Sequence, residues 1–177
     1  TPRLSLVRWG LIPHWARDPS IGNRLINARA ETLHSKPAFR DAFRRRRCLV
    51  IASGFYEWQR TPTTKVPYFI TREDGVPFAM AGLWERWRAQ EGEAWLDTCT
   101  IITTDANDLV REVHDRMPAI VSPADYADWL DREVSDPERL RGMLAPWDGE
   151  GFVAYPVSTA VNDARREGPD LVARRLA

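Results

Sequence analysis

The 177 residues carry 25 Lys+Arg against 25 Asp+Glu and are 44% hydrophobic, the composition of one ordinary globular domain long enough for a substantial core. No apolar run reaches bilayer-spanning length and no signal peptide is visible, which argues against a membrane-spanning helix. The zero net charge hides an asymmetry, because residues 1–60 hold 12 basic and 4 acidic side chains while the remainder holds 13 and 21.

Only Lys36 and Lys65 are lysines; the other 23 basic residues are Arg, whose forks bind phosphates bidentately and stack on bases. The basic first part is interleaved with Trp9, Trp15, Phe39, Phe43, Phe55, Tyr56 and Trp58. Such interleaving suits a single nucleic-acid strand, and equally a solvated basic face beside a core. Cys48 and Cys99 lie in strand-like runs without metal spacing and read as buried free thiols of a reducing compartment.

In chain order, Leu4 to Pro13 starts as a strand and ends in a turn at Gly10 and Pro13. Ile21 to Thr32 lacks clean periodicity, reads as a loop, and concentrates Asn23, Arg24, Asn27, Arg29 and Glu31. Ser35 to Phe43 carries helix signals: Ser35 as N-cap, Pro37 in the first turn, and Phe39 and Phe43 on one face. Arg44 to Arg47 ends that helix and complements its dipole, so the run need not touch a ligand.

Leu49 to Ala52 is a continuous apolar run, broken by Ser53-Gly54 and resumed as Phe55-Tyr56-Glu57-Trp58. Glu57 is the only charge between Cys48 and Gln59. In an apolar pocket its pKa would rise toward neutrality, which suits general acid/base work; on a solvated strand face it is an ordinary surface carboxylate. Strands are expected over 66–71, 78–88 and 95–104, joined by short turns into an antiparallel meander.

Asp105 is the expected N-cap of a short helix over 107–113, closed by His114-Asp115-Arg116-Met117-Pro118. His114 beside a carboxylate could be a tuned base, or a helix C-terminal cap. A strand over 119–121, helices from Ser122 to Arg132 and from Asp136 to Leu144, and a strand over 152–157 follow. Ser158 to Asn162 reads as a polar turn that pins the end of the last strand. The expected fold is a single α+β domain over 1–177, with a curled, barrel-like antiparallel sheet flanked by short helices.

No phosphate loop, His-Glu-x-x-His or Gly-x-Ser-x-Gly motif is present, the histidines have no metal spacing, and the internal cysteines are poor nucleophiles.

Seven stretches taken together are specific: Arg8 to Trp15, Asn27 to Thr32, Arg47 to Trp58, Ala81 to Trp84, Ile102 to Asn107, His114 to Pro118 and Tyr155 to Asn162. In their order they resemble the SOS response-associated peptidase family, whose domain protects abasic sites in single-stranded DNA. The resemblance implies a covalent mechanism in which an N-terminal cysteine attacks the ring-opened abasic aldehyde with its amine and closes a thiazolidine with its thiol. It implies that Asn27 positions the amine, Glu57 is the general acid/base, and His114 assists the Schiff-base steps. It further implies Arg29 and Arg116 as phosphate clamps, with Trp58 and Thr103 lining the DNA path.

No cofactor or metal is implied; the expected partner is single-stranded DNA bearing abasic sites, and the expected protein is a bacterial, cytoplasmic monomer that joins the nucleoid when DNA-bound. The family's N-terminal Cys-Gly-Arg segment has no counterpart here, so crosslinking is expected of a longer parent, and its missing strand would leave a sheet edge unpaired. A noncatalytic single-stranded DNA binding module, or a peptidase working on protein substrates through Glu57 and His114, are the competing readings.

Overall fold

The computed structural model describes residues 3–175. Its strands are β1 (Arg8–Trp9), β2 (Asn27–Arg29), β3 (Arg47–Ala52), β4 (Gly54–Arg60), β5 (Lys65–Arg72), β6 (Phe78–Trp87), β7 (Leu96–Asp105), β8 (Arg116–Pro118) and β9 (Phe152–Pro156). The α-helices are short: α1 (Arg40–Arg45), α2 (Asp108–Arg111), α3 (Tyr126–Leu130) and α4 (Pro137–Gly142). The α+β class expected from the sequence is the class observed. The chain divides into two compact units: residues up to Val50 with Ala79–Thr104 and Pro118–Ala145, and Ile51–Phe78 with Asp105–Met117 and residues from Pro146 onward.

In the first unit the strand order is β1-β7-β6-β3, with β2 also on β7. β6 and β7 pair antiparallel, whereas β1 and β2 run parallel to β7, so the sheet is mixed. Its core joins Leu83 and Ile102 from the sheet to Phe39, Phe43, Trp129 and Leu140 from the helical segments. Burying side chains of this size supplies about 1.5–3 kcal/mol each. The expected helix over 35–43 is observed later, as α1, because turns at residues 33–35 and 37–39 come before it; Phe39 and Phe43 are buried as their spacing implies.

Arg44 to Arg47 does not behave as one run. Arg44 and Arg45 are exposed, while Arg47 is buried and donates to main-chain carbonyls of Phe43, Arg44, Trp129 and Val134 at 2.6–3.0 Å and to that of Asp131.

In the second unit β4, β5 and β9 form an antiparallel sheet. Tyr56, Phe69 and Tyr155 stand directly opposite one another across it, with ring centroids 5.1 and 6.0 Å apart. Aromatic pairs at this range add about 0.5–1.5 kcal/mol beyond burial and pin the register.

Gly54 is what lets β4 start here. A Cβ at that position would lie 2.2 Å from Phe69 Cζ and 2.8 Å from the Ile70 carbonyl oxygen. Gly54→Ala is therefore expected to lower stability by about 1–3 kcal/mol through overpacking, read as a shift in the urea midpoint. An unchanged midpoint would show that the Phe69 ring simply moves aside.

Candidate functional site

β4 carries the carboxylate that stood out in the sequence. Alternation puts Phe55, Glu57 and Gln59 on one face of β4 and Tyr56 and Trp58 on the other. The first face meets the segment that follows β7. Phe55 packs edge-on against Phe78, with centroids 6.4 Å apart, and Gln59 Nε2 donates to the Glu112 carbonyl at 2.8 Å. That bond fixes the chain two residues ahead of His114. The helix expected over 107–113 is the single turn α2, and its N-cap is Asn107 rather than Asp105. Asn107 accepts the Val110 N–H at 2.9 Å and donates to the Trp147 carbonyl at 2.9 Å, so it is committed to local structure. Asp105 instead pairs with the Arg116 guanidinium at 2.6 Å.

His114 Nδ1 then lies 3.9 Å from Glu57 Oε2 and 3.3 Å from Asp115 Oδ1. The Arg116 N–H donates to Nδ1 at 3.1 Å, which puts the proton of the neutral ring on Nε2. The Glu57 contact is thus electrostatic rather than a hydrogen bond. The Glu57 side chain is 24% exposed. Its burial pushes the carboxyl above the ordinary range, and the His114 charge and the Trp58 N–H pull back only part of that rise. A carboxyl so poised can both give and take a proton nearer neutrality than a surface Glu. Glu57 is thus partly buried rather than fully solvated.

Trp58 lies on the opposite face of β4, and its indole Nε1 donates to Asn162 Oδ1 at 2.8 Å. The polar turn expected at Ser158 to Asn162 is a 3₁₀ turn over Thr159–Asn162, capped by Ser158, and its last side chain holds this indole. The sequence offered no sign that Asn162 would face Trp58; the two are 104 residues apart.

The other implied residues belong to the first unit. The stretch read as a loop contains β2, where Asn27 pairs with Ile101 and Arg29 with Thr103 along β7. Asn27 and Arg29 are exposed on one face while Ala28 between them is buried in the core. They stand about 6.6 Å apart along the strand. Thr103, half-buried, is Arg29's register partner. The implied residues thus fall into two local groups: Asn27, Arg29 and Thr103 in one unit, and Glu57, Trp58, His114 and Arg116 in the other.

Neither internal thiol is a candidate nucleophile. Burial, with the neighbouring Cys99, pushes Cys48 up to about 12, and Cys99 is itself buried and raised. Among the described residues no cluster of His, Cys, Asp or Glu could hold a metal ion, and no helix is long and apolar enough to cross a membrane.

Comparison with known proteins places the chain in a family. The family described as SOS response associated peptidase (SRAP) matches residues 1–164. The chain is 46% identical over 171 residues to the abasic site processing protein YoqW of Bacillus subtilis (strain 168), covering 96% of this chain and 76% of that protein. It is 34% identical over 193 residues to the abasic site processing protein HMCES of Xenopus tropicalis, covering 96% of this chain and 57% of that one. A crystal structure of a protein from Bacteroides thetaiotaomicron superposes with a TM-score of 0.88 at 34% identity, over 95% of this chain and 75% of that one. The chain belongs to the SOS response associated peptidase (SRAP) family.

Proposed function

We propose that this chain processes abasic sites in single-stranded DNA, with an N-terminal cysteine outside the 177 residues as the nucleophile. The observation that carries the reading is Glu57: a half-buried carboxyl, raised by desolvation, 3.9 Å from His114. The abasic-site names of the similar proteins supply the substrate class. The N-terminal cysteine is the nucleophile that the resemblance to the SRAP family implies, and burial, which holds the Cys48 and Cys99 thiols protonated, is compatible with it.

In the proposed sequence the cysteine amine adds to the C1 aldehyde of the ring-opened sugar and gives a carbinolamine. Protonated Glu57 donates to the departing hydroxyl, water leaves, and the Schiff base forms. The Glu57 carboxylate then takes the thiol proton as sulfur adds to the C=N carbon, closing a thiazolidine and restoring the acid. One aldehyde and one aminothiol thus give one thiazolidine and one water. Asn27 holds the amine, His114 assists the Schiff-base steps, and Arg29 and Arg116 receive phosphates along a path lined by Trp58 and Thr103. Peptidase action on protein substrates has less support, because no internal nucleophile accompanies Glu57 and His114.

The test incubates protein carrying the N-terminal cysteine with a single-stranded oligonucleotide bearing one abasic site, followed by a denaturing gel. A retarded band that survives denaturation is expected. The 177-residue chain alone should retard the oligonucleotide on a native gel and give no covalent band. A covalent band from that chain would overturn the assignment of the nucleophile. Binding without any covalent band from the longer protein would leave a noncatalytic DNA-binding module.

Arg29→Ala, at an exposed position on β2, is expected to weaken retention and to reduce the slope of log affinity against log salt by about 0.7, the value for one lost single-strand phosphate contact. A slope equal to the parent's would remove Arg29 from the phosphate contacts.

A further inference from the structure

Glu85, on β6, is a buried carboxylate that the proposed chemistry does not use, and its side chain is only 4% exposed. Oε2 accepts the His14 main-chain N–H at 2.9 Å and lies 2.9 Å from His14 Nδ1, while Oε1 is paired with the Arg46 guanidinium. A buried carboxylate persists only when its desolvation is offset in this way. Here the offset also orients two basic side chains. Because a carboxylate only accepts, His14 carries a proton on Nδ1, and its ring remains 56% exposed.

Two cavities of about 590 and 240 Å³ share His14 and Arg46 as lining. The larger one adds Arg88 and Trp95, with the guanidinium stacked on the indole at 4.4 Å. The smaller one adds Arg44 and Arg45, both exposed just ahead of Arg46. Several charges along this trough are already matched: Arg46 with Glu85, Arg86 with Asp97, and Asp41 with Arg40. Among the described residues that leaves Arg44, Arg45 and Arg88 against Glu91, an excess of positive charge beside an exposed indole. Guanidinium forks over an oriented floor suit phosphate, and a stacked Arg–Trp edge suits a base.

We propose that this trough of the first unit is a second phosphate site, which holds the backbone of a nucleic-acid strand through Arg44, Arg45 and Arg88 on a floor set by Glu85. The choice of nucleic acid over other phosphates rests on the abasic-site reading above.

The test uses the 177-residue chain and an undamaged, labelled single-stranded oligonucleotide of about 20 nucleotides, longer than a typical single-strand site. Abasic-site chemistry therefore does not enter the readout, and its failure would leave the result standing. The Arg44→Ala/Arg45→Ala pair and Arg88→Ala are compared with Arg132→Ala, an exposed position of the same unit outside the trough. Each trough variant is expected to weaken binding roughly threefold or more at low salt and to flatten the salt slope by about 0.7 per phosphate lost, with Arg132→Ala close to the parent.

Equal effects from Arg132→Ala would reduce the result to net charge and overturn the site. Unchanged salt slopes in both trough variants would also overturn it. A third arm titrates inorganic phosphate at constant ionic strength and follows tryptophan fluorescence in the parent and in Arg88→Ala. A phosphate response lost in Arg88→Ala, together with unchanged DNA slopes, would mark a free-anion site and overturn the nucleic-acid assignment.

Discussion

Glu57→Gln is expected to slow adduct formation by about 100-fold or more while leaving retention of abasic single-stranded DNA nearly unchanged, since a positioned acid/base contributes about 10²–10⁴-fold. The amide keeps the shape and the position on β4 and removes only the transferable proton. The rate is read from the covalent band over time in protein carrying the N-terminal cysteine, and retention from native gels. Losses of equal size in both would make Glu57 a binding residue and remove its proposed role.

The same substitution has a signed effect on stability. Burial lifts the folded-state value of Glu57 above its ordinary 4.5, so between the two values the folded chain binds more protons than the unfolded one. Stability is therefore lost as pH rises from about 4.5 through the raised value, and below 4.5 the group is protonated in both states and contributes nothing. Gln does not titrate and carries no such pH dependence. The melting temperature of Glu57→Gln relative to the parent should thus climb from acid to neutral pH. A difference that stays flat with pH would show that Glu57 is not raised by its surroundings. A destabilising group of this kind is what a proposed functional site can hold, and here it is the one charge between Cys48 and Gln59.

Such a charge is legible in sequence because it breaks a local rule. Glu57 interrupts an apolar, aromatic run, and His114 sits between a helix end and Arg116, so both stand out without any knowledge of the fold. The long strands are legible for a related reason: runs of β-branched and aromatic residues place β5, β6, β7 and β9 to within a residue or so. β1 falls within the stretch from Leu4 that reads as a strand, whereas β2 is not legible as one, because three residues carry no periodicity and their partner on β7 lies 74 positions away. Asn27 and Arg29 therefore read as loop residues, although β7 holds them on one face. Glu85 was invisible in the same way. It reads as the polar member of a strand, and only the fold brings His14 from 71 residues upstream onto it. Asn162 and Arg47 belong with it, since a tertiary partner decides their role and no local pattern announces that partner.

Arg47 gives the largest expected effect on stability. The run Arg44 to Arg47 reads as a solvated helix end, yet Arg47 is 6% exposed and sends all its donor nitrogens to main-chain carbonyls. Phe43 and Arg44 belong to α1, whereas Trp129, Asp131 and Val134 lie in and just after α3. One guanidinium thus satisfies carbonyls left over at the C-terminal ends of two helices, of which those of Phe43 and Trp129 are buried. Its cationic plane also lies 5.7 Å from the centroid of the Trp129 ring, whose Nε1 donates to the Cys48 carbonyl at 2.9 Å. Among the described residues no carboxylate pairs directly with it; desolvation lowers its pKa and the more distant charge of Asp131 only partly restores it.

Removing the fork strands the buried carbonyls of Phe43 and Trp129 at about 1–3 kcal/mol each and frees three part-buried ones, so Arg47→Met is expected to destabilise the chain by about 3–5 kcal/mol. At this chain length that lowers the melting temperature by roughly 10 °C or more. Arg47→Lys should recover little, because one ammonium on a flexible stem cannot reach carbonyls arranged around a planar fork. Calorimetry of the three proteins decides the point. If Lys restores the melting temperature, the charge alone matters and the carbonyl network contributes little. If Met matches the parent, those carbonyls find water, and α1 and α3 do not depend on Arg47 for their ends.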